Sequence, residues 1–369
     1  MKAHALKWPA PAQESSPQRI AARGAQLFSD DGRSFIDFDN SAGSILLGHA
    51  DPDVEAAVEV RPANVARARA EVAERLLSFM PLAQAVYLFQ SVSLARRTAL
   101  DVVRNASGRD RVLTCAADTR RPDTVPYGDL EALEREMRTS GVAAILIAPV
   151  GLDPPFPSYL AGLRALADRH ACFLVFDETA SAFRVHEGGA QTLFNVRPDL
   201  TLVGDSMANG RPIAAIAGDP ILLATAAPAP PPTATSLAAA AATLGKLGHE
   251  PVVTSLAVRG AEVQAELAER IRAHGAQDLI RVAGDPTMST LVFAEQEELM
   301  REVWLREMHA HGLWCHGEHF ISYAHGDRDV ARLLDAYDRI LPLLVRTAAG
   351  EEGVVRFQQS RIKRELAAR

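Results

Sequence analysis

The sequence predicts an α/β fold, with a mostly parallel central sheet covered by helices and a smaller α+β lobe attached. Three observations carry this expectation. Between residues 85 and 204, short continuous apolar runs alternate with stretches of helical periodicity. Strands that are apolar on both faces belong inside a parallel sheet covered on both sides. The runs end in polar residues, namely Ser91, Asp118, Asp177, Glu178 and Asp205, and the carboxyl ends of such strands are where ligands bind. Beyond Gly218 the alternation stops, and a Pro-rich stretch separates it from a helix-rich remainder.

Each element follows from its residues. Ala85–Gln90 (AVYLFQ) reads as a buried strand, and Ser93–Ala106 repeats apolar residues at helical spacing. Arg111–Asp118 and Val142–Val150 read as strands, Pro157–Ala171 as a helix, and Cys172–Glu178 and Asp199–Gly204 as two further strands. Thr225–Thr235 contains four prolines and reads as a loop. A helix resumes at Ser236, STLVF (Ser289–Phe293) reads as a strand, and DRDVARLLDAYDRILPLLVRTA reads as an amphipathic last helix.

Composition excludes several classes. Of 369 residues, 48% are hydrophobic and 23% charged, ordinary values for a globular chain. The formal net charge of −7 offers no basic excess for nucleic acid. No apolar run approaches the roughly 18 residues of a membrane span. The leader MKAHALKWPAPAQESS lacks the apolar core of a signal peptide. The cysteines, Cys115, Cys172 and Cys315, have no metal-ligand spacing to one another. A cytoplasmic location, with no membrane and no nucleic-acid partner, is the expectation.

Four segments in order are similar to class III aminotransferases, especially their glutamate-1-semialdehyde aminomutase-like branch. They are FSDDGRSFIDFDNSAGSILLGHADPDVEAAV (Phe28–Val58), VFDETASAFR (Val175–Arg184), RPDLTLVGDSMANGRPIAAIAG (Arg197–Gly218) and HFISYAHGDRDV (His319–Val330). The resemblance implies the pyridoxal phosphate (PLP) transferase fold of type I, a homodimer and a small-molecule substrate. It divides the chain into an N-terminal segment at 1–62 contributing to the small lobe, a large α/β domain at 63–250 and a small α+β domain at 251–369.

The chain departs from the family pattern at the chemistry. The family's Schiff-base lysine follows a glycine; here the pair is Gly204–Asp205. A carboxylate cannot form an imine, which needs an amine nucleophile. The chain has four lysines, Lys2, Lys7, Lys246 and Lys363, none placed to substitute. The phosphate-cradling segment reads Ser91–Val92–Ser93–Leu94–Ala95, with Val92 where the family has the glycine that allows close approach. The aromatic that stacks on the ring has no counterpart, and the family's acid before the Asp-Glu strand is Ala148. Asp177 matches the aspartate that pairs with the pyridine nitrogen. From these departures no cofactor is expected, with noncovalent PLP or pyridoxamine phosphate (PMP) as the alternative.

Asp205 and Asp177 are the candidate catalytic pair, since two carboxylates in one crevice have their pKa values pushed apart into an acid and a base. Against this, Asp205 caps a turn. The candidate substrate-binding residues are Ser91, Ser93, Glu178, Arg184, Asn209 and Arg211. Glu178 and Arg184 also suit purely structural roles, and Asn209 suits a turn. Thr233 and Thr235 lie where the family's threonine reaches a partner's phosphate. His316, Glu318 and His319 tempt a metal reading, but no metal is expected. Cys315 has no activating constellation. Three functions compete: a repurposed, PLP-independent acid–base enzyme acting on a small polar metabolite of specialised metabolism; a PLP or PMP enzyme working without the lysine; and a non-catalytic homologue supporting a partner.

Overall fold

The computed structural model describes residues 19–116, 121–139, 141–151 and 157–350; Asp118 and the leader lie outside them, as do Lys2, Lys7 and Lys363. In chain order the elements are β1 (Arg19–Arg23), β2 (Gln26–Ser29), β3 (Ser34–Asp37), α1 (Pro52–Val60), α2 (Val65–Phe79), β4 (Ala85–Phe89), α3 (Val92–Ser107), β5 (Arg111–Ala116), β6 (Thr124–Pro126) and α4 (Leu130–Met137). There follow β7 (Val142–Ile147), α5 (Pro157–Arg169), β8 (Phe173–Asp177), α6 (Gly189–Leu193), β9 (Leu200–Val203), β10 (Ala214–Gly218), α7 (Pro220–Leu223) and α8 (Ala234–His249). The chain continues with α9 (Val252–Ala273), β11 (Ile280–Ala283), β12 (Met288–Phe293), α10 (Glu297–Ala310), β13 (Leu313–Trp314), β14 (Glu318–Phe320) and α11 (Asp327–Ala348).

The described residues fall into two compact units, one of 44–47 and 51–255, the other of 19–43, 48–50 and 256–350. The first holds a seven-stranded sheet in the order β4-β10-β9-β8-β7-β5-β6. β7, β8 and β9 pair in parallel, as do β5 and β7, whereas β10 runs antiparallel to both β4 and β9. The sheet is therefore mostly parallel, as the apolar runs require. Alternation along β8 divides the core: Leu174 and Phe176 join Leu133, Leu160 and Leu163 from α4 and α5 on one face. Val175 joins Ala95, Ala99 and Val102 of α3 on the other.

Local chemistry sets the helix starts. Ser91 caps α3, its Oγ accepting from the Leu94 amide at 3.3 Å, and Gly108 ends the helix in the left-handed region at φ 64°. Thr233 caps α8 by accepting from Ser236 N at 3.1 Å, so α8 begins inside the stretch read as loop and Thr235 is already helical. The segment at 51–60, assigned by sequence to the small lobe, forms α1 and packs on α8 within the first unit.

The second unit holds the four-stranded sheet β1-β2-β3-β13 and the three-stranded sheet β11-β12-β14. α10 and α11 pack together there, with Trp304 and Tyr337 fully buried.

Glu178, a substrate-binding candidate that also suits a structural role, is wholly buried. Its Oε2 accepts from the Ala190 amide and its Oε1 from Gln191 N at 3.4 Å, anchoring the start of α6. Gly189, at φ +69°, has no room for a Cβ because the Glu178 carboxyl occupies that space.

Burial raises this carboxyl from 4.5 to about 7, against the lowering effect of those amides. The unfolded chain releases the proton near pH 4.5 and the native chain only near 7. The stabilising contribution is thus complete below pH 4.5 and is lost as pH rises through 7. Glu178→Gln keeps an acceptor but does not titrate. Between pH 4.5 and about 8, the difference in urea midpoint between variant and wild type should move in the variant's favour. A difference independent of pH would show that Glu178 ionises as an ordinary carboxylate does.

Candidate active site

Because β10 opposes both of its neighbours, β4 runs in the same direction as β9 and β8, and their carboxyl ends share one edge of the sheet. Ser91 follows β4, Asp177 ends β8 and Asp205 follows β9 by two residues. β8 and β9 are paired with Asp177 beside Leu202. The two strand ends are pressed together, since a Cβ on Gly204 would lie 2.8 Å from the Thr179 carbonyl oxygen. The residue before Asp205 thus lies against the residue two beyond Asp177.

The two carboxylates have different surroundings. Asp177 Oδ1 accepts from the Thr179 amide at 3.3 Å and from its hydroxyl at 2.7 Å. Its Oδ2 is ion-paired with the Arg96 guanidinium on α3. Asp205 opens a 3-10 turn, Asp205–Ala208, and its Oδ1 accepts from Ile213 N at 3.1 Å. Burial raises the Asp205 carboxyl above its ordinary value, and the Ile213 amide offsets part of that rise. The Ser181 and Ser206 hydroxyls, both buried, have no hydrogen-bond partner among the described residues. Ser93 is exposed on the first turn of α3, while the Ser91 hydroxyl is engaged in its cap. This donor set presents backbone amides and a hydroxyl at the start of a sixteen-residue helix, which suits an anion. It presents two carboxylates at the strand ends, which suit protonated nitrogens.

Three further candidates have partners of their own. Arg184 is buried, at 1% exposure, away from solvent. Asn209 sits at φ 50°, and its Oδ1 accepts from the Leu46 and Leu47 amides at 3.0 and 2.9 Å, pinning that loop. Arg211 donates to both carboxylate oxygens of Glu55 at 2.9 Å, tying its loop to α1. In place of the expected substrate contacts, these three residues pack or fasten the framework.

Lys246 lies on α8 with its Nζ 2.9 Å from Asp51 and 2.8 Å from Asp53. Burial alone would lower its pKa, but the two aspartates outweigh that and hold it above the usual lysine value, so it stays a cation rather than a nucleophile. Among the described residues, His316 pairs with Asp39 at 3.0 Å, His319 bonds the Tyr337 hydroxyl at 2.7 Å, and His325 stacks on Phe38. No three metal-capable side chains gather among those residues. Cys315 is buried and its thiol pKa is pushed up by that burial. Arg96 and Thr179 escaped the sequence reading. The signal that could have found Arg96 is two adjacent arginines in the second turn of a helix, where the helix dipole disfavours cations.

Residues 117–325 match the model of the aminotransferase class-III family. The chain is 34% identical over 258 residues to the glutamate-1-semialdehyde 2,1-aminomutase of Roseiflexus castenholzii, a match covering 58% of this chain and 59% of that protein. With the protein of the same name from Nitratidesulfovibrio vulgaris it shares 30% over 390 residues, covering 88% of this chain and 91% of the other. Among solved structures it is similar to the FumI protein of Sphingopyxis sp. MTA144 in its PLP internal aldimine form, with a TM-score of 0.81 and 23% identity. That match covers 91% of this chain and 90% of the other. A transaminase with PLP bound matches with a TM-score of 0.77 and 22% identity, over 90% of this chain and 92% of the other. Among the described residues, no helix is long and apolar enough to cross a membrane.

The family match and the PLP-holding neighbours overturn the expectation that no cofactor is bound. That expectation rests on the missing lysine, on Val92 at the phosphate position and on the missing stacking aromatic; these exclude a covalent imine, but the noncovalent alternative remains open to hydrogen bonds and ion pairs. By sequence and by fold, the chain belongs to the class-III aminotransferase family.

Proposed function

We propose that this chain is an enzyme of the class-III aminotransferase family that holds its vitamin B6 cofactor without a covalent link and acts on a small polar substrate. The observation that carries the reading is Asp205. It stands where the sequence resemblance puts the family's lysine, half-buried, with one backbone amide as its hydrogen-bond donor. The polar groups fit a phosphorylated pyridine with an amino group, although Val92 stands at the phosphate end and the sequence offers no stacking aromatic. The amides at the start of α3 and the Ser93 hydroxyl would hold the phosphate, Asp177 the ring nitrogen and Asp205 the amino group. The cofactor, when bound, supplies an electron sink and an amino group or its carbonyl counterpart. Asp205 holds and moves a proton at Oδ2, the oxygen that Ile213 leaves open, and burial, which raises its pKa, favours that role. Relatives named as aminomutases support amine chemistry on a small substrate.

Equilibrium dialysis against PMP tests the reading. The wild type should bind, and Asp205→Asn, which retains an acceptor for Ile213 N, should bind about tenfold or more weakly, because a hydrogen bond to a charged group contributes roughly 1.5–3 kcal/mol. A wild type that takes up neither PMP nor PLP would sink the proposal. Borohydride treatment with PLP should leave Lys246 unmodified by mass spectrometry. An adduct on that residue would make it a covalent anchor and deprive Asp205 of its proton-carrying role.

The reading also carries a homodimer, implied by the family resemblance. Light scattering at micromolar concentration should return twice the 39.7 kDa chain mass; a monomer would contradict it.

A further inference from the structure

Arg96 lies where neither the family resemblance nor the proposed chemistry places a group. It sits on the second turn of α3, and its guanidinium reaches across to Asp177 Oδ2 at the end of β8. The other Asp177 oxygen is already engaged by the Thr179 amide and hydroxyl. The two partners are unequally exposed: the Asp177 side chain at 11%, the Arg96 side chain at 46%. The carboxylate is therefore fixed, whereas the arginine lies over it from the solvent side on a long flexible stem. Arg96 also lines a depression of about 360 Å³ together with Val92, Ser93, Arg97, Leu100 and Arg104.

We propose that Arg96 is a built-in competitor for the ring-nitrogen subsite. In the free chain it closes Asp177, and a ligand whose protonated ring nitrogen pairs with Asp177 must first displace it. The inference rests on the reading that this crevice takes a PMP-like ligand. Its physical basis is charge. A guanidinium and a pyridinium on the same carboxylate oxygen repel one another, so one excludes the other. Arg96 thereby sets the affinity of the site and disfavours loosely held cationic rings.

The test is the affinity of wild type, Arg96→Gln and Arg97→Gln for two probes, PMP and pyridoxamine, which lacks the phosphate and reports the ring and amine end alone. Arg97 is the neighbour on the same helix and has no contact with Asp177 among those described. Arg96→Gln should bind both probes about threefold more tightly than wild type, the order expected for displacing an ion pair with a half-exposed partner, while Arg97→Gln should leave pyridoxamine affinity unchanged. Because Arg96 is half-exposed, the variant should fold, and its thermal melting without ligand verifies that. If the wild type binds PMP and Arg96→Gln binds no more tightly, the competitor role is overturned and the cofactor reading stands. If the wild type binds PMP and Arg96→Gln binds it more tightly while Arg97→Gln does not, the competitor role is supported. If no variant binds either probe, both proposals fall.

Discussion

This edge of the sheet carries two carboxylates at neighbouring strand ends with little positive charge to offset them. Burying a carboxylate away from water costs several kcal/mol unless a partner or hydrogen bonds replace the lost solvation. Asp177 has both, through Arg96 and Thr179. Asp205 has the Ile213 amide, and its raised pKa records the shortfall. A lysine at position 205 would add a positive charge to this edge. With aspartate there, the balance depends on an arginine borrowed from α3 and on whatever cation a ligand brings. The parallel run of β4, β9 and β8 makes this unavoidable, because it delivers all three polar strand ends to one edge.

The framework around that edge was legible because its signals are local. Continuous apolar runs mark strands covered on both faces, and the alternation of Leu174, Val175 and Phe176 decides which helix layer each side chain meets. Asp177 and Asp205 were legible for the same reason, as polar residues ending such runs. The anchors were not. Asn209 finds Leu46 and Leu47 some 163 and 162 residues earlier in the chain, and Arg211 finds Glu55 at a separation of 156. Nothing in the neighbourhood of either residue encodes those partners, so both looked like free polar groups beside a site. Glu178 misled differently. Its partners are only twelve and thirteen residues away, but they are backbone amides, which no side-chain pattern advertises. Arg96 was hidden by the reverse effect: an exposed arginine on an amphipathic helix looks like a solvated face until the fold brings α3 over the end of β8.

Sign decides which form of the cofactor this edge favours. A lysine amine is complementary to an aldehyde, since it is the nucleophile that the carbonyl carbon accepts. A carboxylate facing the same carbonyl meets a partially negative oxygen and gains nothing from it. Facing an ammonium, the carboxylate gains an ion pair in a half-buried setting where such pairs are stronger than in water. On the proposed reading, the unengaged oxygen of Asp205 would favour the amine form over the aldehyde, and the same ion pair would draw its pKa back down from the raised position it has in the free chain. Binding an amine would thus lower the proton affinity of Asp205, and turning that amine into a neutral carbonyl would raise it again. A group whose proton affinity rises and falls with the charge opposite it can take up a proton when one charge state forms and return it when the other does. On the proposed reading, that would let Asp205 carry a proton without forming a lysine's covalent bond.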